Sequence, residues 1–186
     1  MAQIKGFAIR GMLKFVKTSG YPGGIPAILS QLSPGAAAFF KTPINSSAWY
    51  PYGVFGELLR AIDRKIGKGD LTIMPEVGRR TGQEDSGTIF KIIATIASVE
   101  TIIKRSPIFW QKYCDTGVID PIDVRPGYFR VALKNFPDID EAQCNLILGW
   151  IDGLGRTAGA KGIAVKQSKC VHRGDPWCEY EGTWKV

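Results

Sequence analysis

The apolar residues of this chain change period partway along it, and that change limits the folds open to it. From Tyr50-Pro51 onward, Val54, Phe55, Leu58, Leu59, Ile62 and Ile66 keep three-and-four spacing, with Glu57, Arg60, Asp63 and Arg64 on the other face and Gly67-Lys68-Gly69 as the stop. Ile92, Ile93, Ile96, Val99 and Ile103 mark a second stripe of this kind between Ile89 and Ile103. After Ser106-Pro107 the pattern shortens, and Gly127 to Leu133 alternates with the aromatic and β-branched content of a strand. A helical stripe and a strand bury their apolar faces differently, so the two parts must form separate layers on a common core. The predicted class is α+β, an antiparallel sheet with a helical layer.

The finer reading places a strand, or a short strand and turn, over Ile4 to Val16 and a short helix over Pro26 to Leu32. Ser19 to Gly24 and Ser33-Pro34-Gly35 are breaks. Leu71 to Gly78 is a short helix, and Thr81-Gly82 through Gly87 a polar turn region. Trp110 to Tyr113 leads with Val118 to Asp120 into the sheet. A helix starts at Asp140, a plausible cap, and is closed by Gly153 or Gly155. Lys161 to Lys169 and Trp177 to Val186 form a hairpin around Arg173-Gly174-Asp175-Pro176. With no repeat or linker, the expected organisation is one domain over 1–186, helical over about 20–105 and sheet with a cysteine-bearing hairpin over about 106–186.

Composition removes several function classes. A chain of 186 residues with 45% hydrophobic and 22% charged residues can bury a core without disulfides or metal. No apolar run reaches the roughly 18 residues a membrane helix needs, and Lys5, Arg10 and Lys14 interrupt the start, so no membrane span and a cytoplasmic location are expected. The net charge of +7 is scattered from Lys5 to Lys185 without a dense run, which argues against a nucleic-acid partner. Gly20 to Gly24 lacks the ending of a phosphate loop, and Gly153-Leu154-Gly155 lacks the third glycine of a dinucleotide fingerprint. No nucleophile pair carries a recognisable signature, so no catalytic residue is assigned and an enzyme is not expected.

The densest cluster of chemistry-bearing residues runs from Cys144 through Gly149-Trp150, Gln167, Cys170 and His172 to Cys178, while Cys114 stands apart as a core residue. A helix cysteine followed by a Gly-aromatic pair, then a hairpin with Cys-x7-Cys and Gly174 near its turn, resembles the vinyl-4-reductase domain, including its version in the input modules of phenol-responsive activators. The resemblance is close over about the last 45 residues and architectural before that. Trp49-Tyr50-Pro51 with Leu58 to Asp63 also looks like a family of bacterial paralogues ending in the same hairpin.

The resemblance implies the ligand-binding fold shared by vinyl-4-reductase domains, haem nitric-oxide sensors and transport-particle subunits. In the phenol-sensor branch the matching three cysteines and a carboxylate hold a structural zinc. Here Cys144, Cys170 and Cys178 match, Gln167 stands at the carboxylate position, and His172 is the other candidate for a fourth ligand. The competing reading makes these cysteines small buried hydrophobes. Haem is not expected, because the sole histidine, His172, lies in a cysteine-flanked hairpin.

In the related sensors a small apolar ligand sits between helices and sheet. The residues that would line such a pocket are Phe55, Leu59, Ile92, Ile96, Trp110, Phe129, Val131, Trp150 and Val165; a solid core is the competing reading. The expected function is a sensor or carrier of a small apolar or aromatic molecule, signalling through a homodimer. The alternative is a ligand-free scaffolding or dimerisation module, and a vinyl reductase lacks any visible nucleotide or flavin motif.

Overall fold

The computed structural model describes residues 2–84 and 98–186. It opens with a three-residue strand, β1 (Gln3–Lys5), which passes directly into helix α1 (Gly6–Thr18). This corrects the strand expected over Ile4 to Val16. Ala8, Ile9, Met12, Phe15 and Val16 are buried at helical spacing, and Arg10, Lys14 and Lys17 project to solvent. The basic residues that break up the apolar run therefore mark the outer face of a helix.

Helix α2 (Gly24–Leu29) lies close to its expected position. Helix α3 (Pro34–Ala38) begins where a break was expected: Ser33 Oγ accepts the Ala36 amide at 3.2 Å, and Pro34 opens the helix. Strand β2 (Trp49–Pro51) pairs antiparallel with β1, Gln3 opposite Pro51, and leads into helix α4 (Tyr52–Ile66). As its stripe predicts, α4 buries Phe55, Leu58, Leu59 and Ile62.

Helix α5 (Met74–Glu84) outruns the expected Leu71 to Gly78, so Thr81 and Gly82 are helical rather than part of a turn. Helix α6 (Val99–Lys104) is capped by Ser98, whose Oγ accepts the Thr101 amide at 3.3 Å. The rest of the second predicted stripe, including Ile92 and Ile96, lies outside the described residues. Helix α7 (Ser106–Tyr113) carries Pro107 in its first turn, which a helix tolerates. Trp110 to Tyr113 is therefore helical and not part of the sheet.

The sheet consists of β3 (Val118–Arg125), β4 (Tyr128–Lys134), β5 (Lys161–Lys169) and β6 (Cys178–Lys185), antiparallel throughout in the order β3-β4-β6-β5. The expected terminal hairpin is β5–β6, joined through a 3-10 turn (Val171–Arg173) and Gly174 at φ 86°. Helix α8 (Glu141–Thr157) starts at Asp140, whose Oδ1 accepts the Ala142 amide at 2.8 Å. It runs past Gly153 and Gly155, which do not close it. Gly153 faces the backbone of Arg79 and Gly155 the side chain of Ile163. Helix α8 packs on α5 on one side and β5 on the other, so its inner stripe lies between helices and sheet. No helix among the described residues is long and apolar enough to cross a membrane.

Candidate functional site

A cavity of about 100 Å³ lies at this junction. Strand alternation turns Phe129 and Val131 of β4 into it, together with Ile119 of β3 and Ile163 of β5. The inner stripe of α8 supplies Leu146, Ile147, Trp150, Ile151 and Leu154, again at three-and-four spacing. Ala8 and Met12 come from α1, Ile103 from α6, and Phe109, Trp110 and Tyr113 from α7. Of the residues singled out from the sequence, Phe55, Trp110, Phe129 and Trp150 are on the wall. Leu59 is fully buried one turn further along α4, and Val165 is half-buried one strand pair beyond Ile163; neither is on the wall.

The aromatic part of the wall is held by contacts behind it. Trp110 Nε1 donates to the Thr116 carbonyl at 2.9 Å, which turns the indole's polar atom away from its apolar neighbours, and the ring stands edge-on to Phe136 with centroids 6.1 Å apart. Trp150 meets Tyr113 edge-on at 5.3 Å. Phe129 lies opposite Gly182 in the β4–β6 ladder, and its ring occupies the space a β-carbon at 182 would take.

Besides the polar tips of its aromatic residues, Thr81, Gln143 and Ser106 interrupt this lining among the described residues. Thr81 Oγ1 is committed within α5, donating to the Val77 and Gly78 carbonyls at 2.9 and 3.0 Å. Gln143 is 4% exposed, and its Oε1 has no hydrogen-bond partner among the described residues; the same holds for the buried Ser106 Oγ. Beside Gln143, burial pushes the Cys114 thiol up to about 12, with the hydrogen bond from the Gln143 side chain acting the other way. Sequence reasoning missed Gln143 and Ser106. The one sequence signal at Gln143, its place three residues after the cap Asp140, points to a capping role instead.

The second cluster is the cysteine set. Helix α8, the end of β5 and the start of β6 bring the sulfurs of Cys144, Cys170 and Cys178 within 4.8 Å of one another, all three buried. Cys144 and Cys178 are hydrogen-bonded at 3.4 Å, and this bond holds Cys144 in the thiol form while lowering Cys178. Tyr180 Oη donates to the Cys144 carbonyl at 3.1 Å, and the Cys170 amide donates to Asp175 Oδ2 at 2.8 Å. Neither proposed fourth ligand completes the set. Among the described residues no histidine or carboxylate joins the three sulfurs, His172 Nε2 lies 2.9 Å from the Ile139 carbonyl, and Gln167 has a neutral amide whose nitrogen is buried without a partner.

No protein-family model and no curated protein matches the sequence. Solved structures do match along its whole length. One is a mutant H-NOX protein from S. oneidensis in the Fe(II) ligation state, with a TM-score of 0.76 at 11% identity over 98% of this chain and 97% of that chain. An oxygen-binding H-NOX domain related to soluble guanylate cyclases gives 0.69 at 13%, covering 98% and 96%. A third structure, from work on heme distortion in the H-NOX family, gives 0.71 at 13%, again over 98% and 96%. The chain thus has the α+β H-NOX fold, which agrees with the nitric-oxide-sensor part of the resemblance drawn from the sequence. The narrower vinyl-4-reductase assignment finds no support in these structures.

The comparison overturns zinc as the expected cofactor. The cofactor named for proteins of this fold is haem, and the cysteine set offers three donors where a structural zinc takes four.

Haem itself does not fit the residues present here. The only histidine, His172, belongs to the β5–β6 turn and is absent from the cavity wall. No Lys or Arg among the described residues lines the cavity to meet a porphyrin's carboxylates, and about 100 Å³, less than the roughly 150 Å³ of a cavity that holds one benzene ring, is far short of what a porphyrin's four pyrrole rings need.

Proposed function

We propose that this chain is a sensor or carrier domain of the H-NOX fold that takes a small, mostly apolar molecule directly into the cavity between α8 and the sheet, without haem. The observation that carries this reading is the cavity wall, which among the described residues is apolar except for Thr81, Ser106, Gln143 and the polar tips of Trp110, Tyr113 and Trp150. An engineered apolar cavity of about 150 Å³ accepts benzene, so this one suits a ring or short chain of roughly five or six heavy atoms. Burial of such a molecule supplies its affinity without any ion or covalent anchor.

In this reading the ligand bridges α8 and the sheet, changes how they pack, and the change reaches a partner through a homodimer. The protein works in the cytoplasm, where its four unpaired cysteines remain thiols.

Native mass spectrometry of the purified protein, with absorbance spectra before and after adding haem, tests the proposal. A dimer that retains a small molecule, or whose amide NMR signals around Trp150 shift on adding benzene, supports it. Stoichiometric haem uptake with a Soret band overturns it, and a dimer whose signals ignore benzene gives way to the scaffolding alternative.

A further inference from the structure

Gln143 is the third residue of α8, counted after its cap Asp140. A glutamine there ordinarily turns its side-chain oxygen back to accept the cap residue's own N–H. In this chain that N–H is already taken: the Asp140 amide donates to Tyr52 Oη at 2.9 Å. Gln143 is thereby released from capping, and its side chain lies on the cavity wall with Oε1 buried and unpartnered among the described residues.

Two donors on the cavity wall are committed elsewhere. Thr81 Oγ1 serves the carbonyls of its own helix, and Trp110 Nε1 serves Thr116. A buried acceptor without a donor has lost its hydration with nothing in return, and native structures rarely keep one that nothing satisfies.

We propose that the ligand of this cavity is a small neutral molecule, apolar over most of its surface and bearing one N–H or O–H, which donates to Gln143 Oε1. Ser106 Oγ, also on the wall and unpaired among the described residues, is the second contact and accommodates either a donor or an acceptor. A single amide oxygen in an apolar wall selects for a donor and against an ion, since a charged group would lose its hydration for one hydrogen bond.

This inference rests on the reading that the cavity is a ligand site, and the test separates the two. Pyrrole, furan and thiophene are five-membered rings of similar size, of which only pyrrole carries an N–H. Their binding to the full chain is followed by amide NMR shifts, in the natural protein and in Gln143→Met. The expected result is pyrrole about tenfold tighter than furan and thiophene, the ratio one neutral hydrogen bond yields, and the preference lost in Gln143→Met while thiophene still binds. Equal binding of the three rings, or furan tighter than pyrrole, overturns the donor requirement and leaves the cavity reading standing. Failure of all three to bind overturns the cavity reading, and this inference with it. The three-ring comparison in the natural protein needs no variant, so it decides the matter even where Gln143→Met does not fold.

Discussion

Gly149 of α8 sits directly against the main-chain carbonyl of Pro75, with no room for a β-carbon between them. Gly78 stands in the same relation to the Leu146 carbonyl and Gly153 to that of Arg79, so α5 and α8 cross backbone on backbone. A methyl at 149 meets atoms that cannot rotate away. Gly149→Ala is expected to cost about 3 kcal/mol, the upper part of the overpacking range, read as a lower urea midpoint at unchanged slope. Gly53→Ala, helical with open space around its β-position, is expected to raise stability by roughly 0.5 kcal/mol and the midpoint with it. Equal effects at the two sites would mean that the close crossing is not what requires glycine.

Asp152 fastens the same pair of helices. Its Oδ2 accepts Arg79 Nε of α5 at 2.6 Å and Arg156 Nε at 2.9 Å, with the carboxylate 10% exposed. Charge-assisted bonds to a buried carboxylate are stronger than surface pairs, while the half-exposed arginines recover hydration once the carboxylate is removed. Asp152→Ala is expected to lower stability by about 2 kcal/mol. Burial also makes the effect nearly the same at 50 mM and 1 M salt, and a loss that disappears at high salt would show the interaction to be a surface one.

Gly182 makes room for Phe129. Because the ring lies across the neighbouring strand at that point, Gly182→Ala is expected to push it into the cavity, costing about 1–3 kcal/mol in stability and abolishing benzene-induced NMR shifts around Trp150. Intact binding in this variant would place the ligand away from Phe129.

Cys114 links burial to alkaline pH. Its thiol is held up at about 12 by burial against an ordinary value of 9.0, so the folded protein binds the proton more tightly than the unfolded chain. The stabilisation is fully present below about pH 9 and is lost as pH rises toward 12. Cys114→Ala is expected to flatten the decline of unfolding free energy between pH 9 and 11, measured in urea; an unchanged slope would assign that decline to other groups.

Local periodicity was enough for the α4 stripe, the alternation in β4, the hairpin β5–β6 and the Asp140 cap, because each is written in neighbouring residues. It failed at α1, where basic residues on the outer face of a helix look like interruptions of a strand. It failed again at Thr81-Gly82 and at Gly153 and Gly155, where glycines that end an isolated helix are used for close contact between two helices. Of the predicted pocket residues, the aromatic ones with inward positions are on the wall, while Leu59 and Val165 share the right face but lie too far along their elements.

The sequence by itself determined which face of each strongly periodic element is buried, and hence the α+β layering, since burial of apolar surface follows from spacing alone. Only the tertiary structure decided that α8 meets the sheet with space to spare, that three cysteines converge with no fourth ligand among the described residues, and that Tyr52 takes the amide Gln143 would otherwise serve. Those outcomes depend on how side-chain volumes and hydrogen-bond partners from distant segments meet, and no local spacing records that sum.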